Sequence, residues 1–170
     1  MSVEEDMDDK DRVPASGASK EHEGLAPEES IAFLTKGLYR DFAKALERRL
    51  STHNINIGMW YPLRLLWIED GQYQHELQKK VGIAQPTLVT ALDRLENRGF
   101  ILRKRSTLDK RHVNIFLTEA GRDLEHEILH YANEIQNLAS EGISSSELES
   151  FMAVIHKLKK SLQKDLQNSN

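Results

Sequence analysis

Residues 73–117 read, in order, as helix, tight turn, helix and a basic two-stranded hairpin, and few folds accommodate that succession. Within 73–81, Tyr73, Leu77 and Val81 recur every four residues, which predicts the apolar side of a short helix. Gly82 follows, and glycine tolerates the left-handed backbone that stops a helix. Pro86, in Gln85-Pro86-Thr87, predicts a second helix start, because the first turn has no use for the N–H that proline lacks. Leu88, Ala91, Leu92 and Leu95 share one side of that helix and are assigned to a core. The other side carries Pro86, Thr90, Asp93 and Asn97, flanked by Thr87 and Arg94, and Asn97-Arg98-Gly99 ends it. Strand-like runs at 101–105 and 113–117 enclose a loop tip at 106–112; the second alternates only loosely, since Phe116 interrupts its polar face.

Charge sharpens the picture. Between positions 98 and 111 stand Arg98, Arg103, Lys104, Arg105, Lys110 and Arg111, against Asp109 alone. Residues 73–112 hold nine basic and four acidic side chains, +5 within a chain whose net charge is −4. Local positive charge on an acidic protein is the electrostatic footprint of a polyanion. A solvated helix face, or edge strands protected against aggregation, would explain either piece separately. In succession they point to nucleic acid, because short polar groups with one cation suit base edges and phosphates.

The stretch Leu77-Gln-Lys-Lys-Val81-Gly-Ile-Ala-Gln-Pro-Thr-Leu-Val-Thr-Ala-Leu-Asp-Arg-Leu95-Glu-Asn-Arg-Gly99-Phe-Ile-Leu-Arg103 resembles the winged helix-turn-helix of MarR/SlyA-type transcriptional regulators. So does Asp109-Lys-Arg111-His-Val113-Asn-Ile115-Phe-Leu117-Thr118-Glu-Ala-Gly121, an Asp-x-Arg wing followed by a strand and Leu-Thr-x-x-Gly. The resemblance covers about residues 31–166. It implies a mainly α fold with a small β-hairpin wing and a helical dimerisation region. It further implies a homodimeric transcriptional regulator, acting as a repressor on a pseudo-palindromic double-stranded DNA operator and released by a small aromatic or anionic effector. In such proteins the wing arginine, here Arg111, enters the minor groove, and the aspartate two residues earlier, here Asp109, holds it in place. An arginine there senses groove width more than base identity. The expected DNA-contact set is Gln85, Pro86, Thr87, Thr90, Arg94, Arg98, Arg105, Asp109, Lys110 and Arg111.

The resemblance places an effector between the dimer helices and the winged domain, with Tyr39, Arg40, His53, Trp60, Tyr61 and Arg64 as candidates. Flat rings beside a guanidinium suit an aromatic carboxylate or its thioester. The alternative is that Trp60 and Tyr61 are core and the arginines solvated.

Apolar residues at Ile31, Leu34, Leu38, Phe42, Ala45 and Leu46 predict a packed helix over 30–50. Residues 57–69 predict a mostly buried one with Pro62 in its first turn, broken by Asp70-Gly71. Thr118 is a good N-cap for a helix to about Leu138, with Leu124, Ile128, Tyr131, Ile135 and Leu138 in line. Ser144-x-x-Glu147 is a capping box opening a last helix through Leu148, Phe151, Met152, Ile155, Leu158, Leu162 and Leu166. No other layer covers the first and last helices, so they are expected to pair across a twofold axis. The expected division is an acidic disordered tail at 1–29 and one domain at 30–170. Dimerisation helices would take 30–52 and 118–166, and the winged helix-turn-helix about 56–117.

Residues 1–30 hold ten acids against three basic residues, leaving 31–170 at +3, and too few large apolar groups to order themselves. Nothing resembles a signal peptide or a membrane span, so a soluble, cytoplasmic chain without a membrane partner is expected. The absence of cysteine excludes disulfides, thiolate nucleophiles and thiolate metal sites, and no cofactor is expected. His126-Glu127-Ile128-Leu129-His130 fits the zinc-peptidase pattern His-Glu-x-x-His. Yet the apolar line of that helix turns both histidines outward, Asp123 and Glu125 precede them, and no third ligand is evident. The segment is therefore read as chance, with no metal and no enzyme activity. The remaining alternative is a winged-helix module that binds protein rather than DNA.

Overall fold

Side-chain caps at Asn56, Thr118 and Ser144 and a glycine stop at Gly82 set several of the helix boundaries. The computed structural model describes residues 26–106, 109 and 111–168. Most of the expected acidic tail, and Lys110 among the expected DNA contacts, lie outside the described residues. Contacts group the chain into two units, Met1–Gly37 and Leu38–Asn170.

In the first unit a 3-10 turn, Pro27–Glu29, precedes α1 (Ile31–Leu50). The Ser30 hydroxyl accepts the Phe33 N–H at 3.3 Å, and Ile31, Phe33 and Leu34 are exposed.

In the second unit α1 buries Leu46 and Leu50, and a 3-10 turn at Ser51–His53 follows. The Asn56 side chain caps α2 (Ile57–Ile68) by accepting the Met59 N–H at 3.0 Å. Met59, Trp60, Pro62, Leu63 and Leu66 are buried along α2, so the core is built round a helix with little polar surface. Next come β1 (Gln72–Tyr73), α3 (Gln74–Val81) and α4 (Gln85–Asn97). Gly82 ends α3 at φ 72°, the left-handed stop expected there. Leu88, Ala91, Leu92 and Leu95 form the buried side of α4, which packs on α2.

The expected two-stranded hairpin forms the wing and gains a third strand. β2 (Ile101–Arg105) and β3 (Val113–Leu117) pair antiparallel from Ile101↔Leu117 to Arg105↔Val113, but β1 adds a third strand on the other edge of β3. Tyr73, assigned from its spacing to the helix, is extended (φ −64°, ψ 138°) and pairs with Asn114. The edge of β3 needs backbone partners, and that requirement outweighs the four-residue spacing. Buried Gln72 anchors the strand by donating to the carbonyls of Leu65 (3.0 Å) and Glu69 (2.7 Å). Asp70, legible beforehand only as a helix breaker, accepts the Leu117 N–H at 2.8 Å and pairs with Arg122 at 2.8 Å.

Thr118 caps α5 (Glu119–Ala139) by accepting the Gly121 N–H at 3.0 Å. The reciprocal Ser144–Glu147 box opens α6 (Ser145–Asn168): Ser144 N–H donates to Glu147 Oε2 at 2.9 Å, and Glu147 N–H to Ser144 Oγ at 3.3 Å. The Ser144 hydroxyl, and after it the Ser144 N–H, donate to the Glu147 carboxylate and hold it below its ordinary value. No residue of α6 is buried; in the expected apolar seam Leu148, Ile155 and Leu158 are half-buried, and Leu162 and Leu166 are 66 and 67% exposed. No helix among the described residues is long and apolar enough to cross a membrane.

Gly121 shows why its position demands glycine. A Cβ there would overlap the Phe100 carbonyl oxygen, while the Trp67 indole N–H donates to the Gly121 carbonyl at 2.8 Å and keeps the backbones close. Gly121→Ala is expected to cost about 1–3 kcal/mol through overpacking, read as a lower urea midpoint with an unchanged m-value.

Candidate nucleic-acid interface

With its leucine side buried, α4 turns Gln85, Pro86, Thr87, Thr90 and Arg94 outward, and all are exposed. Thr90 Oγ1 donates to the Pro86 carbonyl at 3.0 Å, which leaves its lone pairs outward as acceptors. Pro86, Thr87, Thr90 and Arg94 line one open concavity of about 560 Å³ together with Glu47 and the start of α2.

Asp93 does not join that face. It pairs with Arg103 of β2 at 2.7 Å, and Glu96 pairs with the same guanidinium at 2.7 Å. The Glu96 carboxylate also accepts the Arg103 backbone N–H at 3.0 Å. Arg103 therefore latches the wing to α4 instead of adding to the field presented outward.

Arg98, expected among the DNA contacts, is likewise engaged within the chain. Its guanidinium donates to the carbonyls of Asn54 (2.6 Å) and His53 (2.9 Å) and lies 4.9 Å from the centre of the Phe100 ring. It ties the end of α4 to the turn between α1 and α2. Linear charge counting had no means of seeing either partner.

At the wing, Asp109 holds Arg111 as the resemblance implied. Arg111 Nε donates to both carboxylate oxygens (3.0 and 3.1 Å), Nη2 donates at 2.7 Å, and the backbone N–H adds a bond at 3.0 Å. These bonds lower the Asp109 carboxyl and raise the Arg111 guanidinium, so both stay charged across the neutral range. A lowered carboxyl binds its partner at all pH values above its ordinary range, and the clamp is lost only as acid protonates it. The Arg111 side chain remains 86% exposed, a fixed cation with its surface free. Arg105 is exposed beside it on the wing, as is Lys104, which lies 5.4 Å from the Phe116 ring centre.

The search for contacts by spacing missed three rings next to Arg111. Tyr73, His75 and His112 come from β1, α3 and the wing, with centroids 4.9–5.6 Å apart. Strand pairing brings distant segments together here, and no local periodicity signals it.

The six expected effector residues separate into groups. Tyr39 and Tyr61 stack at 6.4 Å, and burial followed by the Tyr39 hydrogen bond pushes the Tyr61 phenol up to about 12. Trp60 is corrected to core: it is 3% exposed and packs edge-on against Trp67 at 5.7 Å. Arg40 pairs with Asp41 at 3.5 Å in solvent, and Arg64 is half-buried. His53 faces Glu127 (3.4 Å) and the Tyr131 hydroxyl (3.4 Å) rather than the stacked tyrosines. That contact also occupies the glutamate of the His-Glu-x-x-His segment, whose His126 and His130 are exposed. Among the described residues no group of three or more His, Asp or Glu is placed to hold a metal.

Comparison with known proteins agrees with this geometry. Residues 55–113, from the start of α2 into β3, match the family model for the MarR family. The described fold is similar to a MarR transcriptional regulator from Methanosarcina mazei Go1 (25% identity, 78% of this chain and 96% of that one, TM-score 0.72). It is also similar to the PcaV transcriptional regulator from Streptomyces coelicolor in complex with its natural ligand (17%, 82% and 98%, TM-score 0.71). A third likeness is to MepR of S. aureus in a DNA complex (23%, 78% and 98%, TM-score 0.71). The first two of these proteins are described as transcriptional regulators.

Arg103→Ala leaves Asp93 and Glu96 without their shared partner. A loss of about 1–3 kcal/mol in unfolding free energy is expected, measured by urea denaturation. Arg103→Lys should recover only part of it, because an ammonium cannot reproduce the forked contact.

Proposed function

We propose that this chain, with a MarR-family winged helix in residues 55–113 and the fold of MarR-type transcriptional regulators, works as a cytoplasmic homodimeric repressor. It would bind a pseudo-palindromic DNA operator and leave it when a small aromatic or anionic effector binds. The observation that carries this is the pairing of two differently built contacts. One is an exposed polar face of α4 fixed by a buried leucine side; the other is an exposed guanidinium held on the wing by Asp109. The first suits base edges in a major groove, and the second suits the narrow, negative minor groove.

The dimer rests on apolar surface that the single chain leaves uncovered: Phe151, Met152, Leu162 and Leu166 on α6, and Ile31, Leu34 and Leu38 on α1. Isologous pairing would bury these faces and place two α4 helices about one turn of duplex apart, roughly 34 Å. In this reading residues 30–52 and 118–166 would form the dimer and about 56–117 the winged part. For the effector, the Tyr39–Tyr61 stack supplies flat surface, and Arg40 and Arg64 supply candidate cations for an aromatic carboxylate or its thioester. A ligand complex of similar fold supports that class of regulation. An effector that favours a different separation of the winged domains would remove many phosphate contacts together.

Arg111→Ala is expected to weaken binding to DNA from upstream of the protein's own reading frame. It should also flatten the slope of log affinity against log salt by about one per protomer. Arg94→Ala, by contrast, should relax sequence preference by about 1–3 kcal/mol at the base pairs it meets, with Thr90→Ala acting in the same direction. Gel shifts across a salt series distinguish these outcomes. Binding no tighter than to a polyanion of equal charge, or single protomers in solution scattering, would overturn the proposal. An operator complex untouched by a panel of aromatic acids would remove the effector part alone.

A further inference from the structure

We propose that the cleft between α3, the start of α4 and the return of the wing is a backbone-phosphate site whose histidines take up a proton when a duplex occupies it. The site rests on the DNA binding proposed above and adds a contact that the expected DNA set does not contain. The cleft has a volume of about 220 Å³ and is lined by Gln74, His75, Gln78, Gln85, Arg111 and His112, with no carboxylate among its lining residues. Amides, imidazoles and one guanidinium are the donors an anion needs. Gln85 opens the exposed face of α4, and Arg111 is the exposed cation of the wing. A duplex that engages both necessarily covers the cleft they share. α4 also starts without a capping side chain, which leaves the positive end of its dipole at the same rim.

The charged and titratable groups around the pair can be named from each element. β1 contributes Tyr73, whose ring centre lies 5.6 Å from that of His75 and 5.4 Å from that of His112. α3 contributes His75, with its centroid 4.9 Å from His112. α4 contributes only the uncharged Gln85 and Leu88. The wing contributes Arg111 and Asp109, whose Oδ2 is 3.6 Å from His112 Nε2. That carboxylate is already bonded by Arg111 through both oxygens. A phosphodiester would add countercharge beside the carboxylate that Arg111 and His112 already share.

Histidine ordinarily titrates near pH 6.5, and a phosphate oxygen within hydrogen-bond reach favours the imidazolium. In the complex the proton is therefore held more tightly than in the free protein. The added affinity is full below the free-protein value and is lost as pH rises through the value in the complex. Affinity should climb as pH falls, by up to about tenfold per pH unit for each proton fully linked.

The test uses the intact protein and a random-sequence duplex of about three helical turns, because backbone contacts carry no sequence information. Affinity is measured at about pH 8 and about pH 6 with ionic strength held fixed, bracketing ordinary histidine titration. Wild type is expected to tighten at least about threefold more than the His75→Gln, His112→Gln double variant. The double variant should show little pH dependence, whatever its affinity at the upper pH. His53→Gln, at the Glu127–Tyr131 contact, should keep the full wild-type response. His75 is exposed, so His75→Gln carries the test by itself if the double variant fails to fold. Equal pH responses in wild type and the glutamine variants, or their loss in His53→Gln, would overturn the site while leaving DNA binding intact. A wild type that binds no duplex at either pH overturns both.

Discussion

The leucine side of α4, packed against α2, is the constraint on which the rest of the molecule depends. A helix turns about 100° per residue, so burying Leu88, Leu92 and Leu95 fixes which residues face outward. Pro86, Thr87, Thr90 and Arg94 acquire a common direction only because the opposite side has nowhere else to go. Each fully buried leucine contributes about 1.5–3 kcal/mol, which makes this seam the strongest determinant of how α4 is rotated. Arg103 adds the second constraint, since one guanidinium shared by Asp93 and Glu96 fixes β2 against α4. A wing free to move would spend much of its binding energy on being ordered.

Local charge turns out to be divided between two uses. Arg103 is consumed inside the fold, Arg98 bonds the His53 and Asn54 carbonyls while staying exposed, and Lys80 pairs with Glu69 at 2.8 Å while also donating to Gln72. What remains outward among the described residues includes Arg94, Lys104, Arg105 and Arg111. The acids paired with Arg103 are already counted in the net charge of 73–112, and the carbonyls bonded by Arg98 cancel none of it. Of these partners only Glu69, outside that range, lowers the field a partner meets. An internal ion pair cancels charge at long range whether or not it stabilises the fold.

The second organising fact is apolar surface left uncovered. α6 buries none of its residues, and the exposed side chains of α1 begin at Ile31. A long helix whose apolar side is only partly covered is marginal in water, because helical stability in proteins comes mainly from burial of that side. The proposed twofold pairing answers this need, and it makes the spacing of the DNA-reading parts a property of the dimer.

The amino-acid sequence by itself determined the order and limits of most helices, the buried side of α4 and the Thr118 and Ser144 caps, whereas the Asp109–Arg111 clamp was implied by the family resemblance. All of these follow from interactions within one or two turns, where residue spacing is the geometry. The third strand, the paired state of Asp93, the inward use of Arg98, the burial of Trp60 and the meeting of Tyr73, His75 and His112 belong to the tertiary structure. Each depends on backbone groups or side chains far apart in the chain. Whether a polar residue faces water or a partner is decided only when the chain closes on itself.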